Sequence, residues 1–294
     1  MNILLTNDDG IRAPGLQALL ENMPEEMRVV VAAPANERSA ASHSISLGQK
    51  LRVEELHERG ARLFAVHGTP ADCVKYALSG IRGFTPDLII SGINQGANTG
   101  VSVYYSGTIS AAREGFINGV PAIAVSLAIP NELEPAKVGG ASLEKESPRK
   151  VRNPDLVGHS RTFPDFRASL EVVRCMVERY QACRFPCDVM LNVNIPALVS
   201  ENIKGVKITK QANSRFIEEF VPEKDHDGKR VFTLAGTIQI YDADGTSDEE
   251  AIQEGFISVT PLKLDLTAHE AIPLFKEWIG LCNYPKPSRE NLGV

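Results

Sequence analysis

The sequence predicts an α/β protein on a Rossmann-like, doubly wound, mostly parallel sheet, a three-layer α/β/α arrangement. Short apolar runs at residues 3–5, 29–33 and 88–90 are partly β-branched and stop at polar or turn residues, the pattern of strands buried on both faces. Helical spacing fills intervals between them. Strand, helix, strand in that order winds helices onto both faces of a sheet, and such sheets bind ligands beyond the carboxyl ends of their strands.

Residues 3–5 run into Asn7, Asp8, Asp9 and Gly10. Pro14 can open a helix, because the N–H it lacks is unneeded in a first turn, and Leu16, Leu19 and Leu20 follow at helical spacing. After the second strand, Thr69 heads a helix with Val74, Ala77 and Leu78 on one face. A third helix begins near Thr108, and PAIAVSL supplies a fourth strand. From 131 to 165 the pattern dissolves into Pro, Gly, Ser and both charge signs, an irregular surface insertion. Helical spacing returns in LEVVRCMVERY, and CDVMLNVNIP reads as a strand closed by Pro196. Residues 1–130 and 166–200 thus form the core of a single domain over 1–294, with 201–294 as an extension. In it KITKQA, RVFTLAGTIQIY and FISVTPL are strand-like, DHDG and DADG suit hairpin turns, and AHEAIPLFKEWIGL reads as a C-terminal helix broken early by Pro273. Long hairpins that leave a core commonly meet a second subunit.

With 294 residues, 43% hydrophobic and 23% charged, the chain can bury a sizeable core. Its net charge of -6 argues against nucleic acid polymers, whose phosphates are bound through an excess of Lys and Arg. No stretch approaches the roughly 18 to 20 apolar residues of a membrane span. The first strand follows directly on Met1 without a basic leader, so a cytoplasmic location is expected. Five cysteines, odd in number and without paired CxxC spacing, fit neither a disulfide framework nor structural zinc; Cys183 and Cys187 come closest.

Polar residues gather where the strands end. Adjacent carboxylates such as Asp8 and Asp9 raise each other's pKa unless a cation or a shared proton relieves them. Asn, Asp and Gly also make ordinary turns. NERSAASHS, with Ser39, Ser42 and His43, follows the second strand, and SGINQGANTG, with Asn94 and Asn98, follows the third. Serines in loops mostly cap or solvate, and interleaved Asn and Gly mostly turn. Delivered to one crevice, these groups are the hard oxygen ligands that Mg²⁺, Mn²⁺ or Ca²⁺ take. Ser106, Gly107 and Thr108 precede a predicted helix, where two hydroxyls and unpaired N–H groups can hold a phosphate or simply cap. A dication site beside a phosphate site points to phosphoryl chemistry.

TNDDG, AP..ERSA..HSIS, GTPADCV, SGIN.G.N.G and YSGT..AA.EG, followed by LNVNIP and EGFISVTPL, resemble the SurE family of survival-protein nucleotidases, in the same order and over most of the chain. The resemblance implies a Rossmann-like core and divalent-metal-dependent hydrolysis of nucleoside 5′- and 3′-monophosphates, with short-chain polyphosphate as a further substrate. It implies one ion per subunit, Mg²⁺ or Mn²⁺, held by Asp8, Asp9, Ser39 and Asn94, with Asn98, Ser106, Gly107 and Thr108 around the phosphate. Asp8 and Asp9 would be the catalytic pair, with direct attack by water favoured over an aspartyl-phosphate on Asp8, and with either aspartate, Asp9 before Asp8, open to take the water's proton. The resemblance also implies a homodimer or homotetramer formed through the hairpin and C-terminal segment. Ser102 stands where many relatives carry Asp, which leaves metal preference and pH optimum open. The alternative is a receiver-like Mg²⁺-binding phosphorylation module, but that needs an Asp at the carboxyl end of the third strand, where Ser91 and Gly92 stand, while Asp87 lies at its start. A dinucleotide-binding fold would show GxGxxG in place of NDDGIRAPG.

Overall fold

The computed structural model describes residues 1–38, 41–129, 164–184, 186, 188–225, 227–241 and 244–280. Of the predicted insertion at 131–165, only residues 164 and 165 fall within them. The first strand, β1 (Asn2–Thr6), pairs in parallel with β2 (Arg28–Pro34) on one side and β5 (Leu88–Gln95) on the other. Beyond β5 come β6 (Ala122–Ala128) and β7 (Met190–Pro196), also parallel, so these strands end on a common edge. At one margin β2 pairs with β4 (Ala61–Val66), which is antiparallel to β3 (Val53–Glu58). At the other, β7 pairs antiparallel with β11 (Ile257–Leu262), which carries the short β8 (Val206–Ile208), giving a nine-stranded sheet ordered β3-β4-β2-β1-β5-β6-β7-β11-β8.

Alternate residues of each strand feed opposite cores. Ile3, Leu5, Val31, Ile90, Val125 and Val193 meet Leu16 and Leu19 of α1 (Pro14–Asn22) and Val173 and Val177 of α4 (Arg167–Ala182). Leu4, Val30, Phe64, Ile89 and Ala124 meet Val74 and Ala77 of α2 (Pro70–Ser79) and Ile109 and Ala112 of α3 (Gly107–Ile117). The α/β class and the layered arrangement are as the sequence predicts.

Four local expectations need correction. The β3–β4 hairpin was not foreseen: VEELHERGARLFAV breaks its apolar run with charges, as an edge strand with one wet face does. Its turn is Arg59 and Gly60, with φ of 49° and 78°, the positive pair a two-residue hairpin needs, although Arg takes the place usually held by Asn or Asp. The third predicted strand runs on to Gln95, so Asn94 lies on the strand and not in the loop after it. DHDG turns as expected between β9 (Ser214–Lys224) and β10 (Arg230–Ile240), the Gly228 N–H donating to the Asp225 carbonyl. Of DADG only Asp244 and Gly245 are described, and a helix, not a strand, follows them. The Gly245 N–H donates to the Glu250 carboxylate, and the stretch leads into α5 (Asp248–Gln253), a helix closed by a Ser247/Glu250 capping box.

The chain divides after Leu262. In the second unit α6 (Ile272–Gly280) has Pro273 in its first turn, so the proline opens the helix and does not break it. Among the described residues no helix is long and apolar enough to cross a membrane.

Candidate metal and phosphate site

The end of β1 is shaped by Asn7, whose carboxamide accepts the Gly10 N–H at 3.2 Å and donates to the Gly10 carbonyl at 2.9 Å. That closed turn fixes the residues between. Asp8 is 5% exposed, its carboxylate accepting a hydrogen bond from the Thr108 hydroxyl, while the Asp8 carbonyl accepts the Arg38 N–H at 2.8 Å. The first turn of α3 thus docks directly onto Asp8. Contact is so close that a Cβ on Gly107 would lie 2.6 Å from the Asp8 Cβ and 2.7 Å from its Oδ2.

Burial pushes the Asp8 carboxyl up, opposed by the Thr108 hydroxyl and by backbone N–H groups that include those of Thr108 and Gly107. Asp9 is pushed up to about 7, by burial first, then by the charges of Asp8 and Glu37, with the Gln95 backbone N–H pulling it down. Mutual repulsion of the two aspartates, the cause expected from their adjacency, is therefore the lesser effect at Asp9. Its Oδ2 is buried without a hydrogen-bond partner among the described residues. A buried carboxylate oxygen that nothing satisfies is costly, and beside a second buried carboxylate it fits a hard divalent cation.

These shifts set a pH signature for the metal-free protein. A carboxyl at about 7 in the folded chain, against an ordinary value of 3.8, keeps its proton in the folded state and loses it in the unfolded one between those limits. Its contribution to stability is full below the ordinary value and is lost as pH rises toward 7. In EDTA, the thermal midpoint of the wild type should fall relative to that of Asp9→Asn between pH 4 and 7.5. Parallel midpoint curves for the two proteins would contradict the assigned burial of Asp9.

Asn94 stands on β5, one residue before the Gln95 N–H that Asp9 uses, and its Nδ2 donates to the Gly96 carbonyl at 2.8 Å. The carboxamide oxygen is left as an acceptor. Ser106 is the N-cap of α3, accepting the Ile109 N–H at 3.1 Å and keeping its own O–H as a donor. Thr108 spends its one hydroxyl hydrogen on Asp8, and the Gly107 and Thr108 N–H groups serve the same carboxylate, which leaves the Ser106 hydroxyl and the positive end of the α3 dipole to face an anion. Asn98 is buried in the connection between Asn94 and Ser106, bonded to Ser126 and Asn194. Ser102 lies in the 3-10 turn Gly100–Tyr104, its carbonyl accepting the Tyr105 and Ser106 N–H groups. Ser39 lies outside the described residues, though Arg38 next to it bonds Asp8.

The structure therefore brings Asp8, Asp9, Asn94, Gly107 and Thr108 to one edge of the sheet. Sequence reasoning missed Ser126, Asn192, Asn194 and Asp248, which hold the Asn98 segment from below. The signal for two of them was present in LNVNIP: carboxamides at period two in an otherwise apolar strand.

The sequence profile described as Survival protein SurE matches residues 3–218. The 5′-nucleotidase SurE of Pseudoalteromonas atlantica is 38% identical over 279 residues, 95% of this chain and 99% of that one. The 5′-nucleotidase SurE of Heliobacterium modesticaldum is 39% identical over 285 residues, 95% of this chain and 92% of its own. A solved structure, the SurE protein from Aquifex aeolicus, matches the fold with a TM-score of 0.72 at 33% identity, over 95% of this chain and 99% of the other. With the family profile matched over most of its length and relatives 38–39% identical across 95% of it, this chain belongs to the SurE family.

Proposed function

We propose that the chain is a cytoplasmic, divalent-metal-dependent phosphomonoesterase that hydrolyses nucleoside 5′- and 3′-monophosphates, with short-chain polyphosphate as a further substrate. The observation that carries this reading is the unpartnered, buried Oδ2 of Asp9 beside buried Asp8, at the N-terminus of α3. Asp8, Asp9 and the Asn94 carboxamide oxygen would hold one Mg²⁺ or Mn²⁺, with Ser39 as a fourth ligand. When bound, such an ion supplies Lewis acidity that activates water and offsets charge on the transferring phosphoryl group.

The chain's own residues do the rest. The positive end of the α3 dipole orients the phosphate, with the Ser106 hydroxyl as a donor and Asn98 beside it. Asp9, whose Oδ2 has no partner among the described residues, takes the proton of the attacking water. Asp8, bonded to the Thr108 hydroxyl and holding the cation, would be a blunted nucleophile, so direct attack by water is favoured over an aspartyl-phosphate. The receiver reading has no support at Asp87: its Oδ2 accepts the Asn2 N–H at 2.8 Å, at the opposite edge of the sheet from Asp8. Exposed Phe220, Phe232 and Leu234 on the β9–β10 ribbon support a homodimer or homotetramer.

The test is a panel of 5′- and 3′-monophosphates of all four bases, plus tripolyphosphate, with protein stripped by EDTA and restored with Mg²⁺ or Mn²⁺. Metal-stimulated phosphate release is expected, and its absence from every member would overturn the reading. A single turnover in ¹⁸O-water should label only the released phosphate; label in Asp8 would establish the covalent route instead.

A further inference from the structure

On the α2/α3 face of the sheet, β6 and β7 begin apolar, with Ala122, Ala124 and Met190, and then turn polar toward their carboxyl ends. Ser126, Asn192 and Asn194 lie there at 0% exposure, and in register with the two asparagines β11 adds Thr260 and Ser258. A sheet face buried under a helix layer is ordinarily apolar, because a buried carboxamide costs free energy unless it is bonded. Here the bonds go to an irregular backbone segment. Asn194 Oδ1 accepts the Asn98 N–H at 2.8 Å, and Asn192 Nδ2 donates to the Asn98 carbonyl at 2.7 Å. The Asn98 side chain in turn donates through Nδ2 to Ser126 Oγ at 2.9 Å.

The same segment is gripped two residues on. The Asp248 carboxylate accepts the Gly100 N–H at 3.1 and 3.2 Å, Gln211 Nε2 donates to the Gly100 carbonyl at 2.7 Å, and Ser214 Oγ accepts the Val101 N–H at 2.9 Å. Gly100 has φ of 49°, and a Cβ on it would lie 2.2 Å from Ser214 Oγ, so only glycine admits this closeness. These bonds hold Asn98 and its neighbours without touching the aspartates.

We propose that Ser126, with Asn192 and Asn194, positions Asn98 for phosphate recognition. The asparagine pair fixes the Asn98 backbone, and Ser126 fixes the rotation of its carboxamide, so that the second N–H keeps one direction. The proposal rests on the phosphatase reading, and it assigns these residues to the anion half of the site and not to the metal half. It explains why polar side chains replace aliphatic ones at the ends of two interior strands.

Ser126→Ala removes one oxygen from a fully buried position and leaves the strand packing in place. The inhibition constant of inorganic phosphate, and KM for a 5′-monophosphate, should rise about five- to tenfold, the effect of one lost hydrogen bond, while kcat changes less. The Mn²⁺ dissociation constant should stay within about twofold, since residues without shared partners act independently. The decisive comparison is a double-mutant cycle: added to Asn98→Ala, the Ser126→Ala change should have almost no further effect on the phosphate inhibition constant. Equal effects in both backgrounds, an unchanged inhibition constant, or a matching loss of Mn²⁺ affinity would overturn the positioning role while the wild type still turns over. A wild type that releases no phosphate from any monophosphate would overturn the phosphatase reading, and this role with it.

Discussion

Asp8→Asn is expected to lower metal-stimulated phosphate release by roughly 10³-fold or more, the scale on which a preorganised charge at a reacting centre acts. The fold should survive. Asparagine has the size of aspartate, and its Oδ1 can still accept the Thr108 hydroxyl. Burial raises the Asp8 carboxyl, so its ionised form opposes folding at neutral pH, and the neutral replacement should leave the midpoint in EDTA equal to or above that of the wild type. Mn²⁺ should raise the wild-type midpoint, by the linkage that stabilises any folded state that binds a ligand, and should leave the Asp8→Asn midpoint where it was. Thermal melts with and without Mn²⁺, run beside the phosphate assay, check both halves. Activity within tenfold of wild type would show that the cation is held elsewhere.

Gly107→Ala should be nearly as damaging, for a geometric reason. The new methyl would lie 2.6 Å from the Asp8 Cβ and 2.9 Å from its Cγ, well inside van der Waals contact. Asp8 cannot yield: it lies in the closed Asn7–Gly10 turn just past the interior strand β1, and its main chain is bonded to Arg38. Helix α3 must back away, which carries its N–H groups and the Thr108 hydroxyl off the site. A displacement of about 1 Å at a reacting centre costs on the order of 10²-fold in rate. kcat/KM should therefore fall by about two orders of magnitude, with the loss shared between turnover and phosphate affinity. A Gly107→Ala enzyme with wild-type phosphate inhibition would place the anion away from the N-terminus of α3.

What was legible in the sequence was whatever one residue and its near neighbours decide. Strands β1 and β2 and the first halves of β5 and β6 are apolar runs because helices cover both of their faces, and Pro14, Thr69 and Ser106 mark helix starts by local chemistry. The β3–β4 hairpin escaped because an edge strand half in water does not look apolar, and its turn is built on Arg59. At the site, Asp8, Asp9 and the SGT cap stood out as residue types gathered at strand ends. That Thr108 is spent on Asp8 and that Ser126 holds Asn98 could not be read, because each joins residues far apart in sequence that only the sheet order brings together.

The sheet order also dictates when the site can come into being. The strand that ends beside the aspartates lies inside the sheet and is made before both of its neighbours, which span residues 28–34 and 88–95. At about 5–20 residues per second, seconds of synthesis separate the emergence of β1 from that of β5, its later flank. Until then β1 is an apolar ribbon with an open edge, and the acidic pair is two ordinary hydrated carboxylates. Catalytic competence is acquired late, when distant stretches of the nascent chain close around its beginning.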